Sequence, residues 1–419
     1  MNSRERVLNS IEHKQVDRVP FDFGGTSVTG ISAMAYNKLK SKLGVSSPTR
    51  VYDVVQQLAM VDWPVLDSFA TDVVDINRIF MDDMEWHSHT LGDGSSGEYP
   101  GWFRPEKNID GGYLVRDHQE RVIARMPVGG MCFDQACFPW ENGYPDDFNS
   151  INEAFQSINW IAHSHSRYIQ FDNSELRART QDLRDSSDKA ITMSGGAKLL
   201  ELGFFLRRMD NFLMDLLAEQ AKVSKLLDKL MDIHLASLEK KLSALGDLVD
   251  VIRFGDDLGM TSGPFMDLEI FRALLKPRYK VLCDFVKQNS SMKIFFHSCG
   301  SIRQYIPDLI EAGFDIINPV QTNAQGMDPV ELKKEFGRDI TFWGGGVDTA
   351  SVLPNGTTEE VRTDVLNRCE ILSRDGGFIF APIHNILPEV PPENIIAMYE
   401  AVKEFNGTMA FPYIIKNQS

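Results

Sequence analysis

From residue 190 onward the chain repeats one unit. A short run of β-branched and aromatic residues is followed by a few polar residues and then by an amphipathic helical stretch. The runs are AITMSG (190–195), LVDVIRFG (248–255), MKIFFH (292–297), FDIINPV (314–320), DITFWGG (339–345) and GFIFAP (377–382). The stretches between them, such as Ala221 to Leu245 and Asp267 to Gln288, carry their charges on one face. Strands that are apolar almost throughout are buried on both sides, as in parallel sheets, and strands alternating with helices at this spacing are βα units. Six such units, with about two more expected in the less regular first half, point to an α/β fold. That fold is a (β/α)8 TIM-type barrel with an N-terminal elaboration, and a doubly wound open sheet is the competing arrangement.

The first half reads differently. Helical stretches over Arg4 to Lys14, Met34 to Leu43 and Ile151 to Ile169 are mixed with aromatic and Gly-rich segments. Within Met84 to Met126 the segments MEWHSH, GYLVRD and VIARMP are separated by turn residues and read as hairpins. No Pro/Ser-rich linker divides the chain, so residues 1–419 are expected to form a single barrel domain with an irregular, hairpin-rich region at about 84–148. Lys plus Arg is 43 and Asp plus Glu is 59, a formal net charge of −16, which argues against nucleic acid or an anionic membrane as the main partner. No window reaches the roughly 18 uninterrupted apolar residues of a spanning helix. The opening MNSRERVLNSIEHKQ has no signal-peptide core and reads as a cytoplasmic N-terminus. The five cysteines, Cys132, Cys137, Cys283, Cys299 and Cys369, are scattered, as reduced thiols are.

Barrel active sites collect where strands end and βα loops begin. The residues just after the apolar runs are Asp256 and Asp257, His297 and Cys299, Gln321, Gly344 to Gly346, and His384 with Asn385. In extended chain, residues two apart point the same way, so His297 and Cys299 can both face the barrel mouth, and His384 can approach from a later strand. Imidazole and thiolate ligands with one position left open are the ordinary arrangement of catalytic zinc. An H-x-C triplet is equally compatible with an inert buried cysteine beside a core histidine. Asp256-Asp257 can be paired carboxylates for acid/base work or metal support, or a helix-capping aspartate. Gly344 to Gly346 lacks the lysine of a phosphate loop and reads as a tight turn. Cys132 and Cys137 read as buried structural thiols, and the two H-x-H triplets, His87/His89 and His163/His165, as structural.

The segments SRERVLNSIEHKQVDRVPFDFGG, FGDDLGMTSGPFMDLEIFRALLKPRYK, HSCGSIRQYIPDLIEAGFDIINPVQ, GGGVDTASVLPNGTTEEV and PEVPPENI resemble the uroporphyrinogen decarboxylase superfamily. More closely they resemble its methyltransferase branch, the methylcobamide:coenzyme M methyltransferases and related corrinoid-dependent demethylation enzymes. The resemblance covers nearly the whole chain, least clearly residues 84–190. It implies a TIM-type barrel and a zinc ion held by H-x-C plus a cysteine near the last strand. His297 and Cys299 match the first two positions, and His384 stands where that branch has the cysteine. Imidazole in place of thiolate would leave the metal one charge more positive, suited to polarising a methoxy, hydroxyl or amine group.

The decarboxylases carry an arginine-rich signature that holds their substrate's carboxylates, whereas VPFDFGGTSVTGI (19–31) contains no arginine. The resemblance therefore implies a zinc-dependent methyltransferase acting between a small methylated substrate or acceptor and cobalamin, with Asp256, Asp257 and Gln321 hydrogen-bonding around the metal. No D-x-H-x-x-G signature is present, so the corrinoid would arrive on a separate protein. A metal-independent decarboxylase using Asp72, or a non-catalytic binding barrel, is the rival reading. Relatives of this kind are often dimers, which leaves a homodimer open.

Overall fold

The computed structural model describes residues 1–81, 83–163 and 172–407. Seven short strands pair in parallel, in chain order, as one curved sheet. They are β1 (Val73–Asp75), β2 (Ala190–Gly196), β3 (Val251–Gly255), β4 (Lys293–His297), β5 (Ile316–Asn318), β6 (Thr341–Trp343) and β7 (Phe378–Ile379). The remaining gap is filled by the segment around Phe21. Asp22 N–H donates to the Phe380 carbonyl (2.9 Å), Phe380 N–H to that of Pro20 (2.9 Å), and Asp72 N–H to that of Phe21 (2.7 Å). These bonds join the last strand to the first and complete the eight-stranded TIM-type barrel.

Side-chain alternation sorts each strand into two sets. Val73, Ala190, Val251, Phe295, Ile316, Trp343 and Ile379 form one buried cluster inside the barrel, and Val7 and Ile11 of α1 (Ser3–Ile11) pack into the same cluster. The alternate residues, Ile191, Ile252, Phe254, Ile294, Phe296, Ile317 and Phe342, belong to the larger core shared with the helices. Both sets are needed, which is why the runs read as apolar almost throughout.

The helices follow the expected stretches except that 267–288 and 151–169 are each broken in two. The region 267–288 is two helices, α2 (Leu268–Leu274) and α3 (Lys276–Asn289), broken at Leu275. Pro277, which has no backbone N–H to continue the ladder, sits in the first turn of the second. Between β1 and β2 lie the expected hairpins. Trp86–Thr90 pairs with Ser96–Pro100, and Glu106–Lys107, Tyr113–Arg116, Val122–Met126 and Asp134–Gln135 form an antiparallel sheet. Of the expected helix 151–169, Ile151–Gln156 and Asn159–His163 are formed, while its later part and His165 lie outside the described residues. Cys132 departs from the expected burial: it is exposed on the loop after Val122–Met126.

Asp72 stands just before β1, at the end of the barrel away from the loops that follow the strands. Its carboxylate accepts from Arg6 Nη1 (2.6 Å), Arg18 Nη1 (2.7 Å) and the Phe21 N–H (2.9 Å), and it is completely buried. This position removes it from the pocket-facing role of the decarboxylase reading. It holds the closing segment instead. Removing one partner of a buried ion pair strands the others, so Asp72→Ala is expected to cost about 3–5 kcal/mol of unfolding free energy, measured by urea titration.

Candidate functional site

Two residues beyond each of four core residues, the same interior face turns polar. Val73, Val251, Phe295 and Ile316 are followed by Asp75, Arg253, His297 and Asn318. Asp75, Arg253 and Asn318 are buried, and His297 nearly so. Asn318 Nδ2 donates to the Trp343 carbonyl (2.7 Å), which turns its Oδ1 toward His297 Nδ1 at 2.6 Å. Nδ1 therefore carries the ring proton, and the Nε2 lone pair is free to bind a metal.

That lone pair faces Cys299 Sγ at 3.6 Å and Asp257 Oδ1 at 3.8 Å. Ligand atoms of Asp257, His297 and Cys299 all lie within 4.8 Å of one another. Tetrahedral zinc with its usual Zn–N and Zn–S bond lengths sets nitrogen and sulfur about 3.6 Å apart. The imidazole and thiol are thus spaced as zinc ligands are. The turn that carries Cys299 is braced on each side: Cys299 N–H donates to Asp257 Oδ1 (2.9 Å), Leu258 N–H to Ser298 Oγ (2.9 Å), and Gly300 N–H to Gln321 Oε1 (2.8 Å).

Electrostatics suit metal loading. Burial pushes His297 down to about 3, so the imidazole is neutral across the physiological range. Burial, with the charges of Asp257 and Glu201, pushes the Cys299 thiol up, and a bound cation would reverse this by favouring the thiolate. His384 follows β7 and lies within electrostatic reach of both Asp257 and His297, although it is not one of the three tightly grouped ligands. Burial lowers its pKa as well, which keeps it neutral. Asn385 beside it accepts from Gly30 N–H (2.7 Å) and donates to the Ser27 carbonyl (3.0 Å), tying the last βα loop to the first.

Asp256 has a separate task. It is completely buried and accepts from the backbone N–H groups of Leu199 (2.7 Å), Leu200 (2.8 Å) and Glu201 (2.8 Å) and from Tyr279 OH (2.7 Å). The helix Leu200–Arg207 has no side-chain cap of its own, so Asp256 supplies one from the neighbouring loop. Of the adjacent aspartates, one caps a helix and the other faces the histidine and cysteine. Gly344 and Gly345, at φ 107° and 78°, form the expected tight turn. On the hairpin, His87 Nε2 contacts the Phe103 carbonyl and His89 stacks on Tyr99 with ring centroids 4.0 Å apart, so neither turns toward the barrel mouth site.

Sequence reasoning passed over Arg253, Asn318 and Asp75. The signal was present in the runs themselves: one charged or amide residue interrupts VIRFG, IINPV and VVD at the position that alternation sends inward. Beside His297 a cavity of about 200 Å³ opens at the ends of β2 and β3, bounded by Ser194, Gly196, Arg253, Gly255 and the apolar Leu202 and Phe205. His234 also lines it, buried, with Nε2 donating to the Lys198 carbonyl (2.9 Å), and burial pushes it down to about 4. An unfolded histidine titrates near 6.5, so between about 6.5 and 4 the unfolded chain takes up a proton that the folded one refuses. Stability from this group is complete above that window and is lost as pH falls through it. His234→Gln is expected to flatten the fall in unfolding free energy between neutral pH and pH 4 by roughly 2–3 kcal/mol, measured by urea titration at each pH.

A parallel barrel with imidazole, thiol and carboxylate converging at its strand ends defines the class: a TIM-barrel enzyme scaffold with a candidate metal site at its mouth. Residues 202–405 match the family model described as uroporphyrinogen decarboxylase (URO-D). Among solved structures, a methyltransferase from Methanosarcina mazei aligns with a TM-score of 0.57 at 15% identity, over 97% of this chain and 99% of that one. A D-psicose 3-epimerase determined with D-fructose aligns with a TM-score of 0.31 at 12% identity, over 57% of this chain and 83% of that one. No curated protein matches the chain.

Proposed function

We propose that this protein is a zinc-dependent methyltransferase. It would move a methyl group between a small methylated compound, for example a methoxy compound, or a methyl acceptor, and the cobalt of a corrinoid carried by a separate protein. The observation that carries the reading is the His297 and Cys299 pair, set at zinc-ligand spacing with its tautomer fixed by Asn318 and with Asp257 alongside. His297, Cys299 and His384 would hold the metal, and the fourth position, beside Asp257, would be open to the reacting heteroatom. Bound there, zinc would act as a Lewis acid on that heteroatom, stabilising an alkoxide or phenolate leaving group or lowering the acceptor's pKa.

The chain's own residues prepare the site for this chemistry. Asn318 keeps Nε2 available, Gln321 and Asp257 hold the turn that presents Cys299, and Asp256 fixes the helix that walls the cavity. The Methanosarcina mazei protein of the same fold is itself named a methyltransferase, which favours this reading over decarboxylation. The absence of arginine from residues 19–31 and the engagement of Asp72 at the far end of the barrel point the same way. No helix among the described residues is long and apolar enough to cross a membrane.

Elemental mass spectrometry tests the proposal directly. About one zinc per chain is expected in the wild type, lost in His297→Ala and Cys299→Ala and weakened in His384→Ala and Asp257→Ala. A wild type that purifies without zinc, takes none up and keeps its fold would end the reading. Methyl transfer and metal content both intact in His384→Ala would remove that residue from the site. Separately, Asn318→Leu should lower zinc affinity by about 10–100-fold through loss of the ring's anchor, measured by competition with a chromogenic chelator.

A further inference from the structure

His384 stands apart from the other candidate ligands: atoms of Asp257, His297 and Cys299 group tightly, and His384 does not join them. Its reach is set by its backbone, which neighbouring residues tie to segments far away in sequence. On one side Ile383 N–H donates to the Val347 carbonyl (3.3 Å). On the other, Ile386 N–H donates to the Gly30 carbonyl (2.9 Å) and Ser32 N–H to the Ile386 carbonyl (2.8 Å).

Asn385, buried between His384 and Ile386, uses its whole amide. Its Oδ1 accepts from Gly30 N–H (2.7 Å), while Nδ2 donates to the Ser27 carbonyl (3.0 Å) and to Gln56 Oε1 (3.0 Å). Gln56 is oriented in turn by Asp53. Asp53 Oδ2 accepts from Gln56 Nε2 (3.1 Å), and its Oδ1 from the N–H groups of Val55 (2.9 Å) and Gln56 (3.0 Å). Asp53 is completely buried at the end of Val51–Asp53, which pairs with Leu58–Ala59, so the turn carrying Gln56 is a fixed part of the N-terminal elaboration.

Donors and acceptors in this relay allow one arrangement. A carboxylate only accepts, which turns Gln56 Nε2 toward Asp53 and Oε1 toward Asn385. That oxygen and the Ser27 carbonyl take both hydrogens of Asn385 Nδ2, and Oδ1 is left for Gly30. Turning either amide over would set acceptor against acceptor and donor against donor. The Ile386 bonds already seal the loop, so the relay adds orientation to a segment that is closed without it.

From this geometry we infer that Gln56 and Asn385 are positioning residues for His384, fixing where its imidazole meets the metal. The inference deepens the zinc-dependent reading and rests on it. It gives the N-terminal elaboration, and not the barrel alone, control over the third ligand. Groups that orient a metal ligand change affinity by about 10–100-fold when removed.

Competition of the full-length protein with a chelator for Zn2+, together with the visible absorption of the Co2+-loaded protein, tests this. Co2+ absorbs strongly when tetrahedral and weakly when further water enters its shell. Gln56→Leu, which keeps the side chain's bulk and loses both hydrogen bonds, is expected to lower Zn2+ affinity about 10–100-fold and to weaken the Co2+ absorption. Asn385→Ala should do the same. In a His384→Ala background Gln56→Leu should have no further effect, because its action passes through the missing imidazole; a merely structural role would cost the same in both backgrounds. Urea titration of each variant checks its fold, and Gln56→Ala takes the place of Gln56→Leu if the latter does not fold. Affinity and absorption unchanged in Gln56→Leu, or equal losses with and without His384, would overturn the inference and leave the metal reading standing. A wild type that binds neither Zn2+ nor Co2+ would sink both.

Discussion

The structure depends on the two-residue alternation of side chains around a closed parallel barrel. One interior layer, from Val73 through Phe295 and Trp343 to Ile379, is wholly apolar and is sealed from below by Val7 and Ile11. The next positions on the same faces are Asp75, Arg253, His297 and Asn318. Core and candidate site are therefore consecutive layers of one architecture, and His297 rests on the packing of Phe295 beneath it. Any slip in strand register would turn the polar layer outward and bury the wrong residues.

Closure is the second condition. The segment around Phe21 donates and accepts the hydrogen bonds that join the outer strands, and buried Asp72 fixes it through two arginines. The same segment runs on into Ser27, which meets Arg253, and into Gly30, which meets Asn385. Closing the barrel thus also assembles the cavity's inner wall. Polar groups that would be costly to bury alone are satisfied by one another: Asp256 by three backbone N–H groups and Tyr279, and Asn318 by His297 and the Trp343 carbonyl.

Much of this architecture is legible in the sequence. The six later strands fall where apolar runs do, because burial on both faces leaves no room for polar alternation. His297 and Cys299 can be paired by spacing alone, since a single residue separates them at the end of β4. Other features are hidden for physical reasons. The first barrel strand is only a few residues long and reads as loop. The break at Leu275 follows from a proline whose effect depends on the helix around it. Asp256 and Asp257 are adjacent and chemically identical, so only the path of the chain decides which one caps Leu200–Arg207 and which faces His297.

The sequence by itself determined the βα rhythm, the apolar layers and the presence of imidazole and thiol two positions apart, because these follow from local periodicity. The tertiary structure decided everything that joins distant segments. It chose Asn318 as the group that sets the His297 tautomer, Asp257 as the carboxylate beside the pair, and Arg253 as the cation of the neighbouring cavity. The physical reason is that hydrogen bonds and charge contacts act over a few ångströms of space, whereas these partners are brought together only when eight strands close into a ring.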